Sequence, residues 1–127
     1  MTLAYWCILI AALMPLMWAG IAKSGAEGYD NASPRAFMAQ LKGRALRADW
    51  AQQNALESFA PFAAAVIIAH LTGTSQDLIN LLAVLFVLFR ILHGVFYIRD
   101  QHQLRSLVWL GGFLSMIGLF VASALNT

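Results

Sequence analysis

The chain has 127 residues, 61% of them hydrophobic and only 11% charged, with a net charge of +2 and a mean hydropathy of +0.70. An average soluble domain is roughly 25% charged, so this composition argues against a water-soluble protein and leaves little chain for a separate polar domain. The single cysteine, Cys7, permits no intrachain disulfide; no Cys, His and carboxylate set has metal-ligand spacing, and nothing reads as a phosphate loop or a nucleic-acid module.

A bilayer crossing takes about 20 mostly apolar residues. The first stretch of that kind runs from about Leu3 to Ile21 and carries no charge. It lacks a basic leader and has Pro15 and Trp18 where a cleavage site needs small residues, so it reads as a retained span and not a signal peptide. Pro15 is expected to kink it. Cys7 lies inside it and reads as a small buried hydrophobe.

The region from Lys23 to Asp49 is the one sizeable polar stretch. Gly25 and Gly28 mark its first half as turn and loop. Ser33 followed by Pro34 has the form of an N-cap and a first helical residue. Good helix formers then continue without another proline until Pro61. The pattern predicts a helix that starts near Pro34 and projects well beyond the membrane before the second span, about Ala51 to Leu71. That span contains Asn54, Glu57, a proline at 61 expected to kink it, and His70, which reads as an interfacial polar residue. After a short link, Thr72 to Asp77, the third span runs from about Leu78 to Ile98 and contains Arg90, His93 and Tyr97. His102 lies in the next short loop and reads as solvated. The last span, about Leu107 to Leu125, is uncharged.

Seven of the eight basic residues fall in the two loops that share one side of this topology: Lys23, Arg35, Lys42, Arg44 and Arg47 in the first, Arg99 and Arg105 in the last. By the positive-inside rule those loops face the cytoplasm and both termini face the opposite side. The basic first loop also suits contact with anionic lipid, or attraction of an anionic substrate. Tyr5 and Trp6 at one interface, and Trp18, Trp50, Tyr97 and Trp109 at the other, have the positions of aromatic anchors. The manner of the sequence points to a bacterial inner membrane, with an intracellular eukaryotic membrane as the alternative.

A charge at membrane depth costs a few kcal/mol or more and is retained for a partner or a function. With the second and third spans antiparallel, Glu57 and Arg90 lie about 12 and 14 Å from the same face at 1.5 Å per residue, which makes them natural ion-pair partners. Asn54 with Glu57, and Arg90 with His93 and Tyr97, each occupy one helical face. The seam is either helix glue, worth on average about 0.6 kcal/mol per polar contact, or a ligand site; five complementary groups opening toward a basic face favour the site. Gly111, Ser115, Gly118 and Ala122 on the last span, and Ala51, Ala55, Ala60 and Ala64 on the second, are small-residue patterns that let helices approach closely.

The run NALESFAPF from Asn54 to Phe62 matches the N-x-x-E-x-x-x-P-[LF] pattern on the second helix of the MAPEG family, membrane-associated proteins in eicosanoid and glutathione metabolism. RILHGVFY from Arg90 to Tyr97 resembles that family's R-x-x-H-x-x-x-Y, and Arg105 with Ser106 is similar to an Arg-Ser pair at the start of its fourth helix. The resemblance covers essentially the whole chain as one domain, 1–127. It implies an all-α integral membrane fold, a four-transmembrane-helix bundle assembled as a homotrimer in the lipid bilayer. It further implies glutathione as co-substrate, bound in a bent form between subunits. Asn54, Glu57, Arg90, His93 and Tyr97 would hold it, with Glu57 suited to its ammonium group. Arg105, aided by Ser106, would stabilise a thiolate that attacks a lipophilic small-molecule substrate. One departure stands out: Gln53 occupies a position where many glutathione-using members carry arginine, and a neutral amide replaces a guanidinium fork poorly. Arg47, two turns earlier, is the candidate substitute. Three function classes follow: a glutathione-dependent transferase or peroxidase, a non-catalytic binding or structural protein of the same fold, and a small proton-coupled multidrug-type transporter.

Overall fold

The computed structural model describes residues 1–126. Five helices follow one another: α1 (Leu3–Ser24), α2 (Pro34–Met38), α3 (Gly43–Leu71), α4 (Gln76–Ile98) and α5 (His102–Leu125). Four of them, all but α2, are long and apolar enough to cross a membrane, and they coincide with the four spans expected from hydropathy.

The helices associate as two close pairs, α1 with α3 and α4 with α5. α1 turns a buried seam of Ala4, Cys7, Ala11, Met14, Trp18 and Ala22 toward the bundle. α3 answers with Ala45, Ala48, Ala51, Ala55, Ala65 and Ala69. In lipid, helices gain little from burying apolar surface against one another, so close backbone approach through small side chains is what holds such a pair. The pair is antiparallel, as its two ends show. At one end Thr2 Oγ1 donates to His70 Nε2 at 2.9 Å, His70 Nδ1 donates to the Val66 carbonyl at 2.8 Å, and the imidazole stacks on Tyr5 at 4.0 Å. At the other, Gly25 lies against Ala45. His70 is therefore a structural clasp between helix ends. The α3 residues Ala60 and Ala64, expected in the packing face, are exposed instead; they lie on the opposite side of the helix from Ala55, Ala65 and Ala69.

α4 and α5 pack through the small-residue stripe as expected. A Cβ at Gly111 would fall 2.8 Å from the Phe89 ring, and one at Gly118 would meet Leu82 at 3.4 Å. The two short links, from α3 to α4 and from α4 to α5, are tight turns of one kind. After α3, the Thr74 N–H bonds the Ala69 carbonyl and the Gly73 N–H bonds that of His70, with Gly73 at φ 73°. After α4, Gln101 and Asp100 bond Phe96 and Tyr97 in the same pattern, with Asp100 at φ 59°. This is the helix-ending arrangement in which one left-handed residue recovers the last free carbonyls, and Asp tolerates that conformation better than most. The second turn holds the start of α5 directly over the end of α4.

Two further expectations are corrected. The helix expected from Pro34 is not continuous: α2 stops at Met38, Ser33 makes no side-chain cap bond, and the chain turns so that Leu41 is buried before α3 begins. Gly43, at φ 59°, sits at the break, where a residue without Cβ adopts the left-handed conformation freely. α3 still starts eight residues ahead of Ala51 and projects past the expected span. Trp18, expected as an interface anchor, is 3% exposed and lies across Gly94 of α4.

Gly94→Ala places a methyl group inside the Trp18 ring and is expected to cost about 1–3 kcal/mol, the usual range for overpacking. Gly20, which has open space around it, serves as the control. In detergent thermal melts Gly94→Ala lowers Tm by several degrees while Gly20→Ala leaves it level or raises it; equal melts for the two variants contradict this packing.

Candidate functional site

Arg90 is the group on which the site is built. It sits mid-helix on α4, 4% exposed, and its stem passes beside Gly112, where a Cβ would come within 3.4 Å of Cδ. Its Nη2 donates a short hydrogen bond to Asn54 Oδ1 on α3, and its buried Nε has no partner. No carboxylate closes an ion pair on it among the described residues.

The expected Glu57–Arg90 ion pair is therefore a correction. The antiparallel register does bring α3 and α4 to the same level, as the Phe62–Phe86 stack at 3.9 Å also shows. Three residues of α-helix fall about 60° short of a full turn at 3.6 residues per turn. Asn54 therefore faces the guanidinium, whereas Glu57 is carried around to an exposed wall.

A cavity of about 260 Å³ opens at this point, lined on one side by Asn54, Glu57, Ser58 and Arg90 and on the other by Pro61, Phe86, Trp109, Phe113 and Met116. A second, of about 330 Å³, adjoins it toward the basic end of the bundle and is lined by Trp50, Gln53, Asn54, Glu57 and Tyr97. Asn54 and Glu57 belong to both. Volumes of this order, with a few convergent polar groups on an otherwise apolar wall, characterise small-molecule sites. Pro61 has no N–H to return to the Glu57 carbonyl, which leaves backbone polarity beside the first cavity.

Tyr97 links the remaining residues. Its ring packs edge-on against His93, 3% exposed, at 5.4 Å, and tilts against Trp50 at 6.1 Å. The Arg105 guanidinium lies over its face at 4.4 Å, a cation–π contact. Ser106 is exposed, and its hydroxyl donates to the His102 carbonyl of its own helix at 3.0 Å. Arg47 donates to the Ile98 carbonyl at 3.1 Å, at the end of α4, and lines neither cavity. Gln53 bonds Asp49 Oδ2 at 3.0 Å. The structure thus gathers Asn54, Glu57 and Arg90 around one cavity, joins Tyr97 to them through the second, stacks His93 and Arg105 on Tyr97, and leaves Arg47 apart.

A model of the MAPEG family matches residues 3–125 of the chain. The chain belongs to the MAPEG family. Comparison with curated proteins and with solved structures returned no match. Family membership and four membrane-length helices together make it a multi-pass integral membrane protein of all-helical fold. The family includes glutathione-dependent transferases and peroxidases.

The apolar wall of this MAPEG site escaped the reading of the sequence. Trp50 and Trp109 look like interface anchors by position, and Phe113 and Met116 carry no signal of their own in an uncharged span. The signal was available in their spacing: Arg105, Trp109, Phe113 and Met116 follow at i, i+4, i+8 and i+11, one face of α5. The Trp109–Phe113 rings stack at 5.3 Å along it.

Removing one member of the Arg90–Asn54 contact leaves a buried polar group unsatisfied, at about 1–3 kcal/mol. Replacing both by apolar residues of similar volume is close to neutral for buried polar pairs. Asn54→Leu alone is thus expected to lower stability in detergent, and Asn54→Leu with Arg90→Met to recover most of it. A double variant no more stable than the single one assigns Arg90 a purely structural role.

Proposed function

We propose that this protein is a membrane-embedded, glutathione-dependent transferase or peroxidase that acts on lipophilic electrophiles, working as a homotrimer with its site toward the cytoplasmic face. The observation that carries the reading is the Arg90 guanidinium: buried, hydrogen-bonded to one neutral amide, with a buried Nε that has no partner, on a residue that lines an amphipathic cavity. A buried cation with no carboxylate in contact can accept an anionic ligand, and arginine's planar fork suits a carboxylate. Glutathione brings two carboxylates. Asn54 and Glu57, on the shared walls, offer oxygens to its peptide N–H groups, while His93 fixes the Tyr97 ring.

Arg105 is stacked on Tyr97, which lines the second cavity. A neighbouring cation favours thiolate over thiol, and the thiolate is the nucleophile. In the transferase step the thiol proton goes to solvent, the sulfur lone pair forms a C–S bond, and the leaving group departs with its bonding pair. With a peroxide, the sulfur attacks one peroxide oxygen, the O–O bond breaks, the departing alkoxide takes a proton to become the alcohol, and the sulfur is left as a sulfenic acid. A second glutathione then completes a disulfide, with loss of water. Phe86, Phe113 and Met116 give the lipophilic partner an apolar berth on the other side of the polar floor.

A second reading has one observation in its favour: the Ser106 hydroxyl is spent on its own helix, which leaves Arg105 without its expected helper and suits a protein that binds the thiol but does not turn it over.

Titration calorimetry of the detergent-purified protein with glutathione tests the proposal. Saturable binding is expected, weakened by Glu57→Gln and by about tenfold or more in Arg90→Ala, the loss of a charge-assisted hydrogen bond. No binding by folded wild type sinks the reading. Arg105→Ala is expected to retain most affinity while losing roughly 100-fold in turnover of a lipophilic aryl halide, the scale of one removed electrostatic stabiliser. Binding with no turnover in wild type establishes the second reading.

A further inference from the structure

Among the described residues, none of α1 lines either cavity of the site. Yet α1 packs on both helices that carry the polar groups. Toward α3 the contact is the alanine seam, with Ala51 and Ala55 buried on either side of Asn54 in the chain. Toward α4 it centres on one large side chain. Trp18 is almost wholly buried, and Cε2, Cζ2 and Cη2 of its six-membered ring occupy the space that a side chain at Gly94 would fill. The partners are the largest side chain against none. Neither can readjust, because the ring fills the notch and Gly94 has no rotamer to take up slack.

We infer that Trp18 is a positioning residue of the site: through Gly94 it fixes where α4 holds Arg90 and Tyr97. The inference rests on the proposed glutathione reading and adds to it a part for α1. Arg90 lies between two fixed points on α4. Four residues before it, Phe86 stacks on Phe62 of α3; four residues after it, Gly94 receives Trp18. Arg90 and Tyr97 stand one turn to either side of Gly94, about 40° and 60° around the helix axis in the same sense at 3.6 residues per turn. A turn or shift of α4 at the notch therefore carries both the same way. Asn54, held on α3 by its own seam, does not follow, so the Arg90–Asn54 contact is misset. Tyr97 carries Arg105 on its ring face, so the thiolate-favouring cation is misplaced by the same movement. A productive constellation has to be held to about 0.5 Å by packing behind its working groups. Trp18 supplies that packing from a helix that touches no ligand.

The test uses the intact protein and approaches the contact from both sides. Trp18→Phe withdraws the outer part of the indole from the notch, and Gly94→Ala puts a methyl group into it. Each alone misplaces α4, one by slack and the other by overpacking; together they refill the notch. In each single variant glutathione affinity by calorimetry is expected to fall about tenfold and turnover of a lipophilic aryl halide about 100-fold, the scale of a misplacement of roughly 1 Å. The ultraviolet thiolate band of bound glutathione is expected to appear at higher pH than in wild type. The double variant recovers most of all three. Trp6→Phe, at a tryptophan that is half exposed, leaves them unchanged. Because Gly94→Ala reports on the same contact, the result does not depend on Trp18→Phe folding well. A lowered Tm with affinity and thiolate band unmoved in the folded variants makes the contact structural only and overturns the inference. A double variant no better than the single ones overturns the notch as the route. Where wild type binds without turnover, affinity alone decides between these outcomes. Wild type that binds no glutathione overturns the proposed function and this inference with it; wild type that binds, with both single variants binding equally well, overturns this one alone.

Discussion

The buried guanidinium of Arg90 is the constraint around which the rest of the bundle is arranged. An apolar four-helix assembly has few ways to keep a cation at depth. Two features of the chain make it possible here. Gly112, preceded by Gly111 against Phe89, lets α5 lie close enough to cover the arginine stem, so the hydrocarbon part of the side chain is packed and only the head needs polar company. Asn54 then supplies that company from α3. Close helix approach and ligand chemistry depend on the same few positions, and a change that loosens α5 from α4 also unseats the guanidinium.

Where the site sits follows from how the helices pair. The α1–α3 contact is alanine against a small-residue seam, and the α4–α5 contact is glycine against phenylalanine and leucine. Both bring backbones together. The α3–α4 contact is different: large rings meet at Phe62 and Phe86 and hold the two pairs apart. Space opens beside that spacer, and the polar residues of α3 and α4 point into it. Two tight pairs flanking an aromatic stack leave the cavity that the proposed function assigns to a tripeptide, whose placement benefits from preformed walls.

Much of this was legible in the sequence, and the failures share a cause. Span limits, the small stripe of α5 and the common depth of Asn54, Glu57 and Arg90 follow from hydropathy, spacing and helix rise, which are properties of single helices. Pairing Glu57 with Arg90 used charge complementarity and depth but ignored the rotation between Asn54 and Glu57, which decides which of the two meets the guanidinium. Trp18 was read from its position near a helix end; Gly94, seventy-six residues later in the chain, provides the notch that buries it. The interruption after Met38 has no proline to announce it. It arises because Leu41 gains more by entering the core than by continuing an exposed helix, a tertiary preference that overrides local propensity. Arg47, the candidate substitute for an arginine at position 53, instead meets the free carbonyl of Ile98 at the nearby end of α4.

The choice between helix glue and ligand site turns on Glu57. A bundle that needed only to neutralise Arg90 has a carboxylate within one turn of Asn54 on the correct helix. A one-residue change of register in the polar positions would seat that carboxylate on the guanidinium. The chain instead presents Glu57 to the open walls of two cavities and answers Arg90 with a neutral amide. An ion pair closed in the empty protein would have to be broken before any anion could bind, at a cost of several kcal/mol in a low-dielectric site. On the proposed function, leaving the cation half-satisfied avoids that step, and the stability forgone in the empty state is available to a ligand carboxylate. The incomplete satisfaction of Arg90 is thus the feature on which the proposed ligand site rests.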